Sequence, residues 1–235
     1  MIFLLTLVAA DVNFIAVDVR TRQVIERQWA DAELPVPVGS LVKPFLALAY
    51  GGEFPEFVCH GAADKCWLPR GHGKLRFREA LAQSCNAYFL NLARGVDGAT
   101  LDVIAAKFGI PPPGSDSAEA RIGLGADWRI APLALVRAYA ELASRAGEPR
   151  VDEILAGLRM AAESGTAKAL GRGVLAKTGT AACVAERRDA GDGFAVAMDP
   201  VEAPRVALLV RVHGAPGAAA AKSAARILRR IRPVD

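Results

Sequence analysis

Three short stretches of this sequence carry side chains that could act together: "SLVK" at residues 40–43, "SCN" at 84–86 and "KTGT" at 177–180. A serine followed three residues later by a lysine puts both on one face of a helical turn, within mutual reach. Serine is a weak nucleophile until a base removes its proton, and that base has to be uncharged. Lys43 is embedded in "LV" and "PFLALAY", and burial with a second cation in the same cleft disfavours its ammonium form. At a helix N-terminus, Ser40 would hold its oxygen beside unpaired amides and the positive end of the helix dipole. Ser84 and Asn86, two residues apart, can face one side of a loop while Cys85 faces the other. Lys177, Thr178 and Thr180 offer a cation and two hydroxyls, a set that binds a carboxylate. Gly179 leaves room for a ligand to approach. The chemistry these residue types could do together is nucleophilic attack by a base-activated serine.

Singly, each stretch has an ordinary structural reading: a lysine snorkelling from a helix, a polar loop, a strand end. In the order SxxK, SxN, KTG, with a helical section between the second and third, the set is specific.

On these motifs the chain resembles the transpeptidase domain of penicillin-binding proteins, and most of all the elongation-type, high-molecular-mass members. The resemblance extends through "PVGSLVKPF", "GHGKLRFREALAQSCNAYFLNLA", "RIGLGADWRIAPLALVRAYAELA" and "LAKTGTA" and covers most of residues 13–231. It implies Ser40 as nucleophile, Lys43 as base and Ser84 as proton relay to the leaving amine. Asn86 would hold the substrate amide, and Lys177, Thr178, Gly179 and Thr180 would bind its terminal carboxylate. The backbone amides of Ser40 and Thr180 would form the oxyanion hole.

The implied substrate is a peptidoglycan stem peptide ending in D-Ala-D-Ala, with β-lactam antibiotics as covalent ligands of Ser40. A serine DD-transpeptidase or DD-carboxypeptidase of this kind requires no cofactor, is read as a monomer and works outside the cytoplasm. Two other activities fit the same fold. A β-lactam hydrolase needs a base for the deacylating water, and Glu163 in "AESGTA" reads instead as a surface residue at a helix C-terminus. A non-catalytic sensor would bind β-lactam or peptidoglycan without turnover. Members of the elongation type carry an N-terminal anchor and a pedestal domain, which this sequence is read as lacking.

The elements that must position these residues follow from periodicity. "NFIAVDVRT" and "QVIERQW" alternate as two strands around a polar turn at Arg20 to Arg22. From Ser40 to about Leu170 apolar residues recur at three and four, in "LRFREALAQSCNAYFLNLARG", "ATLDVIAAKFGI", "APLALVRAYAELASRAG" and "RVDEILAGLRMAAESG". "GVLAKTGTA", "DGFAVAMDP" and "RVALLVRVHG" are β-rich, and "GAAAAKSAARILRRI" closes the chain as a helix. The expected fold is α+β, an α/β sandwich of the β-lactamase/transpeptidase type: a five-stranded antiparallel sheet from both chain ends (residues 11–32 and 172–235), flanked by helices, with a mostly helical lobe (about 41–171) inserted. Residues 11–235 are read as one domain. Trp67, Trp128 and Tyr139 are read as core or cleft walls.

Composition agrees with one sizeable core: 235 residues, 52% hydrophobic and 23% charged, with a net charge of +4. The basic residues are scattered apart from the tail "RILRRIRPVD", a solvated helix face, and no nucleic-acid motif is present. The apolar stretch from Ile2 to Ala10 is far short of the roughly 20 residues a spanning helix needs. Residues 1–10 are read as a possible signal segment, with a small-residue cleavage pattern at Val8 and Ala10, against the alternative of a buried first strand.

Cys59, Cys66, Cys85 and Cys183 allow three readings. Cys59 and Cys66 could close a disulfide loop, the thiols could be unpaired and buried, or Cys59, Cys66, His72 and Cys85 could form a structural zinc site.

Overall fold

The hairpin of β1 (Val12–Asp18) and β2 (Val24–Gln28) opens the fold, as the alternation predicts. The computed structural model describes residues 12–181 and 191–231. The signal-segment reading and Cys183 lie outside the described residues. After β3 (Val36–Pro37) comes a single 3₁₀ turn (Gly39–Val42) that runs directly into α1 (Lys43–Ala49). The helical lobe then holds β4 (Phe57–Cys59), β5 (Gly73–Leu75), α2 (Phe77–Ala82), α3 (Asn86–Arg94), α4 (Gly98–Lys107), α5 (Ala118–Arg121), β6 (Arg129–Ile130), α6 (Pro132–Ser144) and α7 (Pro149–Glu163). The chain returns to the sheet with β7 (Leu175–Ala181), β8 (Asp192–Asp199) and β9 (Val206–Val212) and ends on α8 (Gly217–Ile231).

The sheet order is β2-β1-β9-β8-β7, with every pairing antiparallel. The first hairpin therefore pairs with the last three strands, as expected. Both faces of the three inner strands are buried, so alternate residues feed two cores. Ile15, Val17, Phe194, Val196, Met198 and Leu209 face the helical lobe. Phe14, Ala16, Ala195, Ala197, Leu208 and Val210 face α8. On the α8 side, small residues meet small residues, with Ala195 and Ala197 in the same cluster as Ala220, Ala221 and Ala224. That match lets the helix sit close to the sheet at native packing density.

Two departures from the sequence reading matter for the site. The helical pattern over 75–95 is broken, because α2 ends at Ala82 and α3 starts at Asn86. Ser84 sits between them in the left-handed region, φ +52°. Ser40 is also not a helix N-cap. It lies within the 3₁₀ turn, and the α-helix begins at Lys43, with Pro44 in its first turn.

Candidate active site

Ser40 is held in place by backbone packing rather than by its own side chain. Gly39 has φ +59°, and a Cβ there would fall 2.4 Å from the Thr180 carbonyl oxygen. A Cβ on Gly179 would fall 2.7 Å from the Val38 oxygen, and one on Gly123 would fall 2.1 Å from the Gly39 oxygen. Three glycines therefore let the turn lie backbone to backbone against the free edge of β7, which brings Ser40 alongside Thr180. Behind the turn, the buried Tyr139 hydroxyl donates to the Leu41 carbonyl at 2.7 Å. Ser40 itself is half-buried, and its hydroxyl is hydrogen-bonded to no described residue.

Lys43 is fully buried. Its Nζ donates to the Ser84 carbonyl at 2.9 Å, to Asn86 Oδ1 at 2.7 Å and more weakly to Ser84 Oγ at 3.4 Å, and it lies 5.2 Å from the centre of the Phe89 ring. Its hydrogen bonds go to Ser84 and Asn86 and not to Ser40, since an ammonium is drawn to the strongest fixed acceptors within reach.

From β7, Lys177, also fully buried, donates to Ser84 Oγ at 2.8 Å and to the Thr178 carbonyl at 2.7 Å. Burial pulls the Lys43 ammonium down to about 7, partly opposed by Cys85 and Cys66. Burial pulls Lys177 well below the ordinary lysine range, and the Lys43 charge pushes it the same way. Two desolvated amines on one hydroxyl favour a shared proton over two full charges.

The SxN stretch divides as its spacing suggests. Ser84 and Asn86, both buried, face the lysines, and Cys85 faces away, its Sγ 3.8 Å from Cys66 Sγ. The KTGT stretch divides too. Lys177 points to the Ser84 side, whereas the Thr178 hydroxyl donates to Thr166 Oγ1 at 2.6 Å and the exposed Thr180 hydroxyl accepts from the Gly217 N–H at 3.1 Å. Sequence reasoning missed Thr166 and the turn-flanking Gly39 and Gly123, and it read Tyr139 as a core or cleft wall without its bond to the Leu41 carbonyl. The "GTA" at 165–167 was a weak signal for the first, while the others needed the fold.

Beside this cleft, the ligand atoms of Cys59, Cys66, His72 and Cys85 all lie within 4.8 Å of one another. His72 Nδ1 is 3.6 Å from Cys59 Sγ and 3.5 Å from Cys66 Sγ. A tetrahedron with Zn–S of about 2.3 Å and Zn–N of about 2.0–2.1 Å has S···S edges of about 3.8 Å and S···N edges of about 3.6 Å. Three of the six edges match, His72 Nδ1 to Cys59 Sγ and to Cys66 Sγ and Cys66 Sγ to Cys85 Sγ, so the donor set fits zinc in type and approaches it in spacing. Burial pushes the Cys66 thiol up, but N–H groups of Leu68, Ala87 and Asn86 outweigh it and hold it below the ordinary thiol range. Burial keeps Cys85 above that range. The proposed Cys59–Cys66 disulfide is absent, since both thiols are free and gathered with Cys85 around His72. Trp67, expected in the core or a cleft wall, is half-exposed and donates from Nε1 to the Gln83 carbonyl at 3.2 Å, tying the cysteine loop to the SxN loop. Trp128 and Tyr139 are buried as expected.

The sequence profile of the penicillin binding protein transpeptidase domain matches residues 61–232. The chain belongs to that family. The matched range begins after Ser40 and Lys43, so these two residues rest on the motif and the geometry. Solved structures share the transpeptidase-domain fold. PBP2 of Pseudomonas aeruginosa, in complex with WCK 5153, superposes with a TM-score of 0.78 at 17% identity over 96% of this chain and 72% of that one. The D,D-transpeptidase domain of a peptidoglycan glycosyltransferase from Eggerthella lenta gives 0.76 at 17% identity over 96% and 78%. PBP2 of Helicobacter pylori, solved with MreC, gives 0.76 at 15% identity, with 95% of this chain covering 61% of that one. No curated protein matches the chain by sequence. Among the described residues of this transpeptidase domain, no helix is long and apolar enough to cross a membrane.

Proposed function

We propose that this domain is a serine DD-acyltransferase working outside the cytoplasm on peptidoglycan stem peptides that end in D-Ala-D-Ala, and that β-lactams acylate the same serine. The observation that carries the reading is the convergence of two buried amines, Lys43 and Lys177, on one hydroxyl, Ser84 Oγ, beside a serine pinned on a glycine-flanked turn. A purely structural core has no use for two desolvated lysines.

In this reading Lys43, as the free amine, takes the Ser40 hydroxyl proton while Ser40 Oγ attacks the carbonyl carbon of the penultimate D-Ala. The amides of Ser40 and Thr180, brought together by the Gly39 packing, receive the oxyanion. Each such donor contributes about 3 kcal/mol to the transition state. Ser84 passes a proton from the lysines to the leaving nitrogen, the C–N bond breaks and D-Ala departs. An amine from a neighbouring stem, or water, then attacks the ester and restores the Ser40 hydroxyl. Asn86 orients the substrate amide. Lys177 and the Thr180 hydroxyl bind the terminal carboxylate, the Thr178 proton being engaged by Thr166, and the carboxylate draws the shared proton to Lys177 and leaves Lys43 neutral when substrate is present.

For the hydrolase alternative, the candidate base Glu163 is exposed at the end of α7 and paired with Arg159 at 3.1 Å. Release of D-Ala from a stem-peptide mimic, lost in Ser40→Ala, tests the proposal. Labelling by penicillin without any D-Ala release would favour the sensor reading.

We also propose that Cys59, Cys66, His72 and Cys85 hold one structural zinc. With four protein ligands the site is closed, so the metal would supply cross-linking rather than Lewis acidity. Through Cys85 it would hold the loop that carries Ser84 and Asn86. Elemental analysis of the purified chain, with Cys59→Ser as control, tests this.

A further inference from the structure

The residues that face Ser84 come from two segments far apart in sequence, and one side chain is bonded to both segments. Thr166 follows α7. Its backbone N–H donates to the Ala82 carbonyl at 3.1 Å, and its hydroxyl reaches the same oxygen at 3.3 Å. That hydroxyl also accepts from Thr178 Oγ1 at 2.6 Å. Ala82 stands two residues before Ser84, and Thr178 stands next to Lys177. Gly165 makes the approach possible, because a Cβ there would fall 2.3 Å from the Ala82 oxygen.

Among the described residues, no backbone hydrogen bond joins the loop at Ser84 directly to β7. Ser84 lies in the left-handed region on a short connection between helices, a conformation that persists only when its surroundings over-determine it. Lys177 lies on the edge strand of the sheet, with a β-partner on one side only. Across that gap the reacting groups must hold a 2.8 Å contact between Lys177 Nζ and Ser84 Oγ. The bond from Thr178 through Thr166 to Ala82 runs parallel to that contact and is anchored one residue from Lys177 and two from Ser84.

We infer that Thr166 is a positioning residue that sets the distance between the Lys177 amine and the Ser84 hydroxyl during acylation. It rests on the acyl-transfer reading above and assigns Thr166 no contact with substrate.

The test is the second-order rate of acylation by a fluorescent penicillin in the wild type, Thr166→Val, Thr166→Ser, Lys177→Ala and the double variant Thr166→Val/Lys177→Ala. Valine keeps the shape and the backbone N–H and removes only the hydroxyl. The loss of one partly buried hydrogen bond corresponds to about tenfold in rate, so Thr166→Val should fall about tenfold with its melting temperature little changed. Thr166→Ser should restore the rate to within about twofold. In the Lys177→Ala background the valine substitution should add nothing, because the contact it adjusts is already gone. A valine variant as fast as wild type, a serine variant as slow as valine, or a full tenfold loss persisting without Lys177 would each overturn the inference. A wild type that takes no label at all would overturn the acyl-transfer reading itself, and the inference with it.

Discussion

Lys43 on α1 and Lys177 on β7 approach one hydroxyl, Ser84 Oγ, at 3.4 and 2.8 Å, both amines being fully buried. Among the described residues, the hydrogen-bond partners of both amines are uncharged. The Lys43 partners are a carbonyl, an amide oxygen and that hydroxyl. Uncompensated burial of this kind is costly for a charge and inexpensive for a free amine, which gives the pair its chemical meaning.

Lys43→Ala removes the proposed base. Acylation by penicillin should fall by about 10²–10⁴-fold, the usual contribution of a general base, while circular dichroism stays that of the folded domain. A variant labelled at the wild-type rate would remove Lys43 from the mechanism.

Lys177→Ala should weaken ligands that carry a free carboxylate and slow acylation by about ten- to a hundredfold, since a charge-assisted hydrogen bond contributes about 1.5–3 kcal/mol. Unchanged stopped-flow acylation would mean that the carboxylate docks elsewhere.

The pH dependence has a defined sign. Folded Lys43 titrates at about 7, whereas an unfolded chain holds a lysine proton up to about 10.4. The free amine grows as pH rises through about 7, so the acylation rate should rise with it and then level off. Between those two values the unfolded state binds more protons than the folded state, so stability should also rise with pH. An acylation rate flat from pH 5.5 to 8.5 would show that Lys43 does not titrate where its burial places it.

Gly39→Ala tests how the nucleophile is placed. The new Cβ would meet the Thr180 carbonyl in a left-handed backbone, at a cost of about 1–3 kcal/mol. Acylation should fall more than stability does, since the clash lies between residue 39, next to Ser40, and Thr180. A variant with normal acylation would show that this packing does not position Ser40.

Chelation and Cys59→Ser should each remove about one zinc per chain, for a closed four-ligand site, lower the melting temperature and slow acylation through the Cys85 loop. Metal-free protein with an unchanged melting curve would leave the cluster as three packed thiols.

The sheet was legible in the sequence because its inner strands are continuous apolar runs and its hairpin alternates. Which residues face the cleft was legible for SCN, where a spacing of two sends Ser84 and Asn86 one way and Cys85 the other. The break at Ser84 was not legible. Apolar residues continue at helical spacing on both sides of it, and no glycine or proline marks a turn that Ser84 makes with a positive φ. The seat of Ser40 was hidden for a related reason. It depends on close approaches by Gly39, Gly123 and Gly179, which only the tertiary fold defines. For the cysteines, residue types allowed zinc but the spacings match no standard finger and suited a disulfide better, and only the fold shows the loop from Cys59 to His72 closing on Cys85.

The most direct measurement is intact-protein mass spectrometry after incubation with penicillin, followed by peptide mapping. The account predicts one adduct per chain, of the mass of the whole drug, on the peptide containing Ser40 and absent from Ser40→Ala. No adduct, or an adduct that persists in Ser40→Ala, would contradict it.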